Sequence, residues 1–369
     1  MAQQYTAPSI PATCPRPAPD DLPKPGQILT YDFRSDETKA YARSRSSSQP
    51  IKLLQWNVER GYKLPQIISE LQALNADVLA LQEIDIHCQR SDWQDTGLAI
   101  AKALGLHYAF LCEFQELWSP VRDADAQGGG VHGNALLSKF DLSELTVVEH
   151  SYHPIDWEAP KHPLCQKEPR HGRRLTLAGS VATPQGPLLV YSAHLEVFCG
   201  MLARMRQFAD IMAHVKAVDA RGGPRHQAIL GDLNTQANSL ARLSPNYCTD
   251  HMRWLSLGWF EAEIWAKYVL GCAADPADPG KLNAWLARQG IEPATCGAIT
   301  NPGFSDPWDP RRDITVDLIK YRWLGLRLMT GKLDWVLLRN CTVVSKAMGN
   351  DEYDKSDHKW LMCEVMLDA

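Results

Sequence analysis

The sequence predicts an α/β protein, and two patterns near residue 50 indicate this class. The run IKLLQWNV, which begins at Ile51, is short and apolar, as is typical of a buried strand. Apolar residues at Ile67, Leu71 and Leu74 predict an amphipathic helix, and the apolar run DVLALQ follows at 77–82. Strand, helix and strand within about 30 residues predict a βαβ-like unit.

The later elements continue this alternation. The runs GPLLVYSAH (186–194), HQAILGD (226–232), LDWVLLR (333–339) and KWLMCEVML (359–367) predict further strands. Between the first two of these strands, an apolar repeat of helical period runs from Met201 to Val215. Strands that alternate with helical segments are typical of α/β folds.

Composition and termini limit the classes of function. The 369 residues include 43 acidic and 38 basic side chains, a formal charge of −5, which excludes a globally basic protein that coats nucleic acid. No apolar run approaches the ~18 residues of a transmembrane helix. The first residues lack the charged start and apolar stretch of a secretory signal, so we expect an intracellular, cytoplasmic protein.

Proline and serine content suggests where the domain begins. Seven prolines fall within the first 26 residues, and the segment RSRSSSQP occupies 43–50. We therefore predict a poorly ordered tail and linker over 1–50 and one domain over 51–369. A Trp-rich insertion at about 240–330 is either local core or a substrate-gripping element.

Polar residues stand where the predicted strands end or begin. One such residue is ordinary, but six positions suggest convergence at one edge of the sheet, because charge beside an apolar strand is costly unless it is paired. The residues at these positions are Asn57, Glu83, His194, Asp232 with Asn234, Asp334, and Asp357 with His358. Carboxylates and amides are ligands for Mg²⁺ or Mn²⁺, and histidine transfers protons. No nucleophile elbow or zinc spacing is present, so metal-assisted attack of water on a phosphate ester is indicated.

The blocks QWNVE, LQEID, HGNALLSK, SAHLE, GDLNT, LDWVL and KSDHKWL, in this order, resemble the endonuclease/exonuclease/phosphatase superfamily, the deoxyribonuclease I-like fold. The resemblance implies a four-layer αββα sandwich of two mixed β-sheets with helices outside. It also implies a divalent-metal-dependent phosphoesterase that uses Mg²⁺, or Mn²⁺ in its place.

The resemblance implies roles for individual residues. Its metal ligands would be Glu83, Asn57, Glu59 and Asp357. Its catalytic residues would be Asp232 on the attacking water, Asn234 and His194 at the phosphate, and His358, which Asp334 would orient. Asn134, in the HGNALLSK block, would form the strand entry and the floor of the substrate site.

Other charged positions leave alternatives open. The basic stretch from Lys161 to Arg174 offers Arg173 and Arg174 as phosphate clamps, or it is a solvated loop. Glu113 and Glu116 are predicted on a surface loop or helix end.

The substrate class also stays open. The expected partner is a phosphate-ester substrate, with nucleic acid slightly favoured. A sphingomyelinase-like or other phospholipid-headgroup phosphodiesterase is the alternative, and soluble phosphates such as inositol phosphates or nucleotides are the third class. The alternative of another class is a non-catalytic binding module that kept the fold. The sequence indicates no protein partner.

Overall fold

The structure is a computed structural model that describes residues 14, 16, 19–120, 122–158, 165, 168–236, 261–271, 280–297, 299–317, 322–323, 326–327 and 330–369. Two mixed β-sheets lie face to face with helices outside them. This arrangement confirms the α/β class and the four-layer sandwich. None of the described helices combines the length and the apolar character that crossing a bilayer would need.

The first sheet is built around the predicted βαβ unit. Its strands are β1 (Ile28–Asp32), β2 (Ile51–Asn57), β3 (Val78–Ile86), β4 (His107–Glu116), β5 (Gly130–Ser138), β7 (Arg170–Gly172), β14 (Cys341–Gly349) and β15 (Trp360–Leu367). They lie in the order β1-β4-β5-β3-β2-β15-β14, and β7 pairs with β4. Strands β2 and β3 are parallel and the other pairs are antiparallel, so the sheet is mixed.

The second sheet contains β6 (Leu142–Glu149), β8 (Leu175–Thr183), β9 (Gly186–His194), β10 (His226–Asp232) and β13 (Asp334–Arg339). Their order is β13-β10-β9-β8-β6, and β9 and β10 are parallel. Apolar side chains from both sheets fill the space between them, for example Leu53 and Leu136 against Val190 and Leu230. This shared core fixes the two sheets relative to each other.

Helices cover the outer faces. Helices α2 (Leu64–Leu74) and α3 (Thr96–Leu104) pack on the first sheet through side chains such as Ile67 and Ile100. Helix α4 (Met201–Ala220) packs on the second sheet through Met205, Phe208 and Met212, which recur on one helix face. The helical pattern in the sequence therefore places α4 correctly.

The segment before residue 50 differs from the expected tail. Strand β1 pairs antiparallel with β4, with Ile28 opposite Leu111, and α1 (Asp36–Ser44) follows it. Strand β1 lies at the edge of the sheet and is largely exposed, so its sequence lacks the apolar run that marks a buried strand. Residues 1–13 lie outside the described part of the chain.

The helical parts of the Trp-rich insertion form core. They are α5 (Glu261–Ile264), a π-helical turn (Trp265–Val269) and α6 (Gly280–Arg288). The insertion also contains the short hairpin β11 (Arg322–Trp323) and β12 (Leu326–Arg327), in which Leu326 is exposed. Trp265 is fully buried, with its ring 5.2 Å from that of Phe208 on α4. A buried pair between Arg204 and Glu261, at 2.8 Å, joins α5 to α4. These residues extend the outer helical layer, whereas Trp259 lies outside the described residues.

Candidate active site

The carboxyl ends of β2 and β3 bring Asn57 and Glu83 together. The strands are parallel with Asn57 opposite Gln82, so both end at the same edge of the sheet. A bulge follows, where Glu83 has a φ of 60°. The Nδ2 of Asn57 lies 3.3 Å from Glu83 Oε1 and 3.1 Å from Asp232 Oδ2. One amide therefore joins a carboxylate of the first sheet to a carboxylate of the second.

The second sheet contributes three side chains in register. Asp232 on β10 lies opposite His194 on β9 and opposite Asp334 on β13. His194 Nε2 is 3.5 Å from Asp232 Oδ2, and His358 Nε2 is 3.7 Å from the same oxygen. The strand ends thus place two imidazoles on one carboxylate, and this pairing explains why charge is tolerated here.

His358 and Asp334 form a buried acid–base pair. His358 Nδ1 donates to Asp334 Oδ2 at 2.8 Å, and Gln55 donates to the other Asp334 oxygen, also at 2.8 Å. Burial opposes charging of His358, but Asp334 and Asp232 outweigh it and raise the pKa of His358 well above its ordinary value. Burial raises the pKa of Asp232 to about 7. His358 is therefore an imidazolium, and Asp232 titrates near neutral pH.

His194 is held in the opposite state. Arg174 donates from one guanidinium nitrogen to Glu113 Oε2 and to His194 Nδ1, each at 3.0 Å. Arginine only donates, so Nδ1 of His194 is the acceptor and its proton lies on Nε2. Burial and the nearby Arg174 charge lower the pKa of His194 well below its ordinary value. His194 is thus a neutral donor aimed towards Asp232.

These groups surround a cavity of about 390 Å³ that both sheets line. Its wall contains Glu59, Arg60, Tyr62, Glu83, His132, Glu168, Arg170, Arg174, His194, Val197, Phe198, Asp232, Asn234, Val316, Leu333, Asp357 and His358. The basic stretch contributes Arg170 and Arg174, the insertion contributes Val316, and the segment that follows the insertion contributes Leu333. Both regions therefore border one cleft, as their connections to site strands predict.

The oxygen donors in this wall fit a hard divalent cation. Burial alone would raise the pKa of Glu83, but Arg60, His132 and His358 lower it to about 2, so this carboxylate is ionised. Asn57 Oδ1 and a Glu59 carboxylate oxygen accept backbone N–H groups at 3.1 Å, from Glu59 and Asp357 respectively. An ionised carboxylate beside a second carboxylate and an amide that are fixed in position provides the oxygen ligands that Mg²⁺ and Mn²⁺ prefer.

A second group of side chains has ligand atoms close enough together to share a metal ion. Ligand atoms of Asp232, Asp334 and His358 all lie within 4.8 Å of one another. In this group, however, His358 uses Nδ1 to donate to Asp334 and has a raised pKa. An imidazolium has no lone pair for a metal, so these contacts describe proton-transfer geometry better than a coordination sphere.

Ten of the twelve residues predicted for the site converge at the cavity. Nine line it or contact its wall directly: Asn57, Glu59, Glu83, Arg174, His194, Asp232, Asn234, Asp357 and His358. Asp334 lies behind His358. Asn234 donates its N–H to Asp232 Oδ1 at 2.8 Å and its amide to Leu195 O at 2.9 Å, so it orients Asp232.

Arg173 and Asn134 do not reach the cavity. Arg173 is half exposed and pairs with Glu149 at 2.8 Å. Consecutive residues of an extended chain point to opposite sides, so only one of the two neighbouring arginines faces inward. Asn134 is fully buried on β5, and its amide atoms have no hydrogen-bond partner among the described residues. It is therefore enclosed in the sandwich and does not line the cavity.

Glu113 and Glu116 are not on the surface, because both are buried on β4. Glu116 belongs to an arginine cluster that also contains Asp85, Arg90, Arg122 and Arg170. Arg90 binds Asp85 at 2.7 Å and lies 3.3 Å from Glu116, which also accepts from Arg122 at 2.9 Å. Despite burial, these guanidinium groups lower the pKa of both Asp85 and Glu116.

Several wall residues were not singled out from the sequence. Arg60 lies 3.6 Å from Glu83, and Arg170 lies 4.4 Å from the centre of the Trp157 ring. His132 also lines the cavity. Arg60 directly follows the QWNVE block, and Arg170 belongs to the basic stretch. Their positions in the sequence, next to a motif and within a run of positive charge, were the signals that could have placed them at the site. His132 lies in the HGNALLSK block, in which Asn134 is the predicted site residue.

Comparisons with known proteins identify a family. The model of the endonuclease/exonuclease/phosphatase family matches residues 54–358. An endonuclease/exonuclease/phosphatase from Beutenbergia cavernae DSM 12333 is similar in structure, with a TM-score of 0.50 and 16% identity over 87% of this chain and 72% of that chain. The human Nocturnin catalytic domain has a TM-score of 0.46 and 17% identity, over 92% and 96% of the two chains. No curated protein sequence matches the chain significantly.

Proposed function

The chain belongs to the endonuclease/exonuclease/phosphatase family, whose members are metal-dependent phosphoesterases, and we propose that it hydrolyses phosphodiester bonds in nucleic acid with the help of Mg²⁺. The observation that carries this proposal is the convergence of three side chains on one cavity: ionised Glu83, Asp232 with a pKa of about 7, and cationic His358. Arg60, Arg170 and Arg174 in the same wall favour a polyanionic substrate.

Glu83 is the principal metal ligand in this proposal, and Asn57, Glu59 and Asp357 complete the protein's share of the site. A bound divalent cation would offset charge on the phosphoryl oxygens. The fixed positions of Asn57 and Glu59 support this assignment, because each accepts a backbone N–H and is held in place. Mn²⁺ is the alternative ion, since oxygen ligands suit both.

Asp232 acts on the attacking water. Its pKa of about 7 places it near the working pH, where a general base combines availability with basicity. Asn234 and Asn57 fix the carboxylate, the first through its backbone N–H at 2.8 Å and the second through its amide at 3.1 Å. A positioned base of this kind requires the water to bind between Asp232 and the phosphate.

The two histidines have different roles at the phosphate. His358 is cationic, so it binds a phosphoryl oxygen and can protonate the leaving alcohol, while Asp334 holds its Nδ1 proton. His194 is neutral and presents only its Nε2 proton, so it donates a hydrogen bond without taking part in proton exchange. The opposed pKa shifts of these residues support distinct roles.

The test compares two carboxylates. Glu83→Ala should abolish hydrolysis of circular DNA, RNA and bis-p-nitrophenyl phosphate in Mg²⁺ or Mn²⁺. Glu149→Ala, which removes an exposed carboxylate outside the cavity, should retain full activity. Full wild-type activity in excess chelator would overturn the metal assignment. Hydrolysis of sphingomyelin vesicles and no nucleic acid would overturn the substrate assignment.

A further inference from the structure

The Trp-rich insertion contacts the outer edge of β13, the strand that begins with Asp334. Strand β13 stands at the end of the second sheet, with β10 as its neighbour. On the other side of β13, Ser305 of the insertion and Leu338 exchange two backbone hydrogen bonds, each at 2.9 Å. At the first residue of the strand, the contact comes from Thr315. The insertion is therefore in position to fix the backbone that carries Asp334.

Thr315 binds the backbone at the start of β13. Its Oγ1 accepts the N–H groups of Leu333 at 3.0 Å and of Asp334 at 3.3 Å, and it donates its own proton to Gly331 O at 3.4 Å. A hydroxyl has one proton and two lone pairs, so these three contacts use its whole hydrogen-bonding capacity. Because Thr315 is fully buried, water is a poor substitute for this hydroxyl at the two N–H groups.

The same residue binds the chain beside His358. The carbonyl oxygen of Thr315 accepts the N–H of Lys359 at 2.9 Å, and Lys359 directly follows His358 at the entry to β15. His358 and Asp334 are 24 positions apart in the sequence, yet their side chains meet at 2.8 Å. One residue of the insertion thus holds the backbone next to both members of this pair.

A buried ion pair connects the insertion to the same point a second time. Lys332 is fully buried, and its ammonium group pairs with Asp306 of the insertion, whose side chain is 4% exposed. The ammonium group also donates to Asp334 O at 3.2 Å. A buried charge that loses its partner is strongly unfavourable, so this pair keeps the insertion against the start of β13.

These contacts act on the site through the acid–base pair. Thr315 is not among the described residues that line the cavity, whereas His358 lines it. Both oxygens of Asp334 are engaged, one by Gln55 and one by His358, so a shift of the β13 backbone would distort both hydrogen bonds. Hydrogen bonds weaken steeply when their distance and angle depart from the ideal. The alignment of His358 therefore depends on the position of this backbone.

We propose that Thr315 is a positioning residue for the hydrolysis, because its hydroxyl holds Asp334 and its carbonyl holds the chain at His358. This inference rests on the proposed phosphodiesterase function, in which His358 protonates the leaving alcohol. A displacement of about 1 Å at such a group can lower the rate by about 10²-fold. The insertion therefore contributes to catalysis in addition to its packing on α4.

The experiment removes the Thr315 hydroxyl and keeps the side-chain volume. Thr315→Val should lower kcat for a short oligonucleotide by about 10- to 100-fold, while KM changes little because Thr315 does not line the cavity. The loss should be smaller for bis-p-nitrophenyl phosphate, since p-nitrophenolate leaves without needing a proton. Thr315→Ser keeps the hydroxyl and should restore most of kcat. Thr315→Ala, a second variant without the hydroxyl, should lose a similar factor to Thr315→Val.

A double mutant tests whether Thr315 acts through His358. In His358→Ala protein, the added change Thr315→Val should lower kcat by no more than about twofold, because the group that Thr315 positions is already absent. Two residues that act independently would instead multiply their losses.

The matched control is Thr183→Val. Thr183 Oγ1 also accepts a backbone N–H, from Gln185 at 3.2 Å, and donates to a backbone carbonyl, Gly186 O at 2.6 Å. It lies where β8 turns into β9, at the opposite end of β9 from His194, so kcat and KM should match the wild type. Urea denaturation of both valine variants checks that the assays compare folded proteins.

Three results would overturn the inference and leave the phosphodiesterase proposal intact. They are a wild-type kcat in Thr315→Val, an equal loss in Thr315→Ser, and full multiplication of the losses in the double mutant. Absence of Mg²⁺-dependent hydrolysis by the wild-type protein would overturn both proposals.

Discussion

This molecule contains two clusters of buried charged residues, and the pKa values of their carboxylates shift in opposite directions. In the arginine cluster, Asp85 and Glu116 each face guanidinium groups, and their pKa values fall. In the cluster around Asp232, the neighbours are imidazoles and another carboxylate, Asp334. There the pKa values of both Asp232 and His358 rise.

The difference between the two clusters is whether their charge state can change near neutral pH. Guanidinium groups stay protonated at every accessible pH, so the arginine cluster keeps one charge state and acts as a fixed support. In the Asp232 cluster the pKa of Asp232 is about 7, so this cluster can change its charge state near neutral pH. Buried carboxylates therefore keep a fixed charge in the arginine cluster, whereas Asp232 can gain or lose a proton near neutral pH.

The largest expected effect is on rate in the Asp232 cluster. Asp232→Asn keeps the shape but removes the base, and it should lower kcat by about 10²–10⁴. His358→Ala should lose a similar factor. Steady-state kinetics on bis-p-nitrophenyl phosphate measure both variants, with circular dichroism as the check on folding. Losses below tenfold in both variants would show that this cluster is not reactive.

A mutation in the arginine cluster should instead affect stability. Arg90→Met leaves Asp85 without its guanidinium partner in a fully buried position, which should cost about 3–5 kcal/mol of the free energy of unfolding. Urea denaturation measures this change. Arg173→Met removes an exposed partner of Glu149 and should cost at most about 1 kcal/mol. Equal costs would contradict the distinction between the two positions.

Arg174 contacts both Glu113 and His194 through one guanidinium nitrogen. Arg174→Met should lower kcat/KM by roughly 10², the scale of one preorganised donor. Arg173→Met, one residue away, should leave the activity unchanged. A kinetic comparison of the two variants decides the point, since an equal effect would mean that the basic stretch acts by general attraction and not through His194.

Stability should also depend on pH through Asp232. The folded protein keeps this proton up to about pH 7, whereas an unfolded chain releases it near the ordinary value of 3.8. The folded state therefore binds more protons in this window, and stability falls as pH rises through it, by at most about 1.4 kcal/mol per pH unit. Urea denaturation of metal-free protein should show Asp232→Asn gaining stability over wild type between pH 4 and 7. A constant difference would mean that the Asp232 pKa is not raised.

The buried strands and the polar residues at their ends were predictable from the sequence. Ile51–Asn57 and His226–Asp232 are short apolar runs that end in polar side chains, and strands of this kind converge at one edge by geometry alone. The edge strand Ile28–Asp32 was not predictable as part of the sheet, because an exposed strand needs no apolar run and forms only when β4 is present to pair with it.

The sequence by itself determined the fold class and most of the residues that meet at the cavity, because local apolar pattern and motif order are written along the chain. Tertiary structure alone decided which of two neighbouring arginines points into the cavity: Arg174 contacts His194, while Arg173 faces solvent. It also decided the charge states, since the pKa values of Asp232, His194 and His358 depend on burial and on partners far away in the chain. These electrostatic effects act through space, and no spacing of residues in the sequence encodes them.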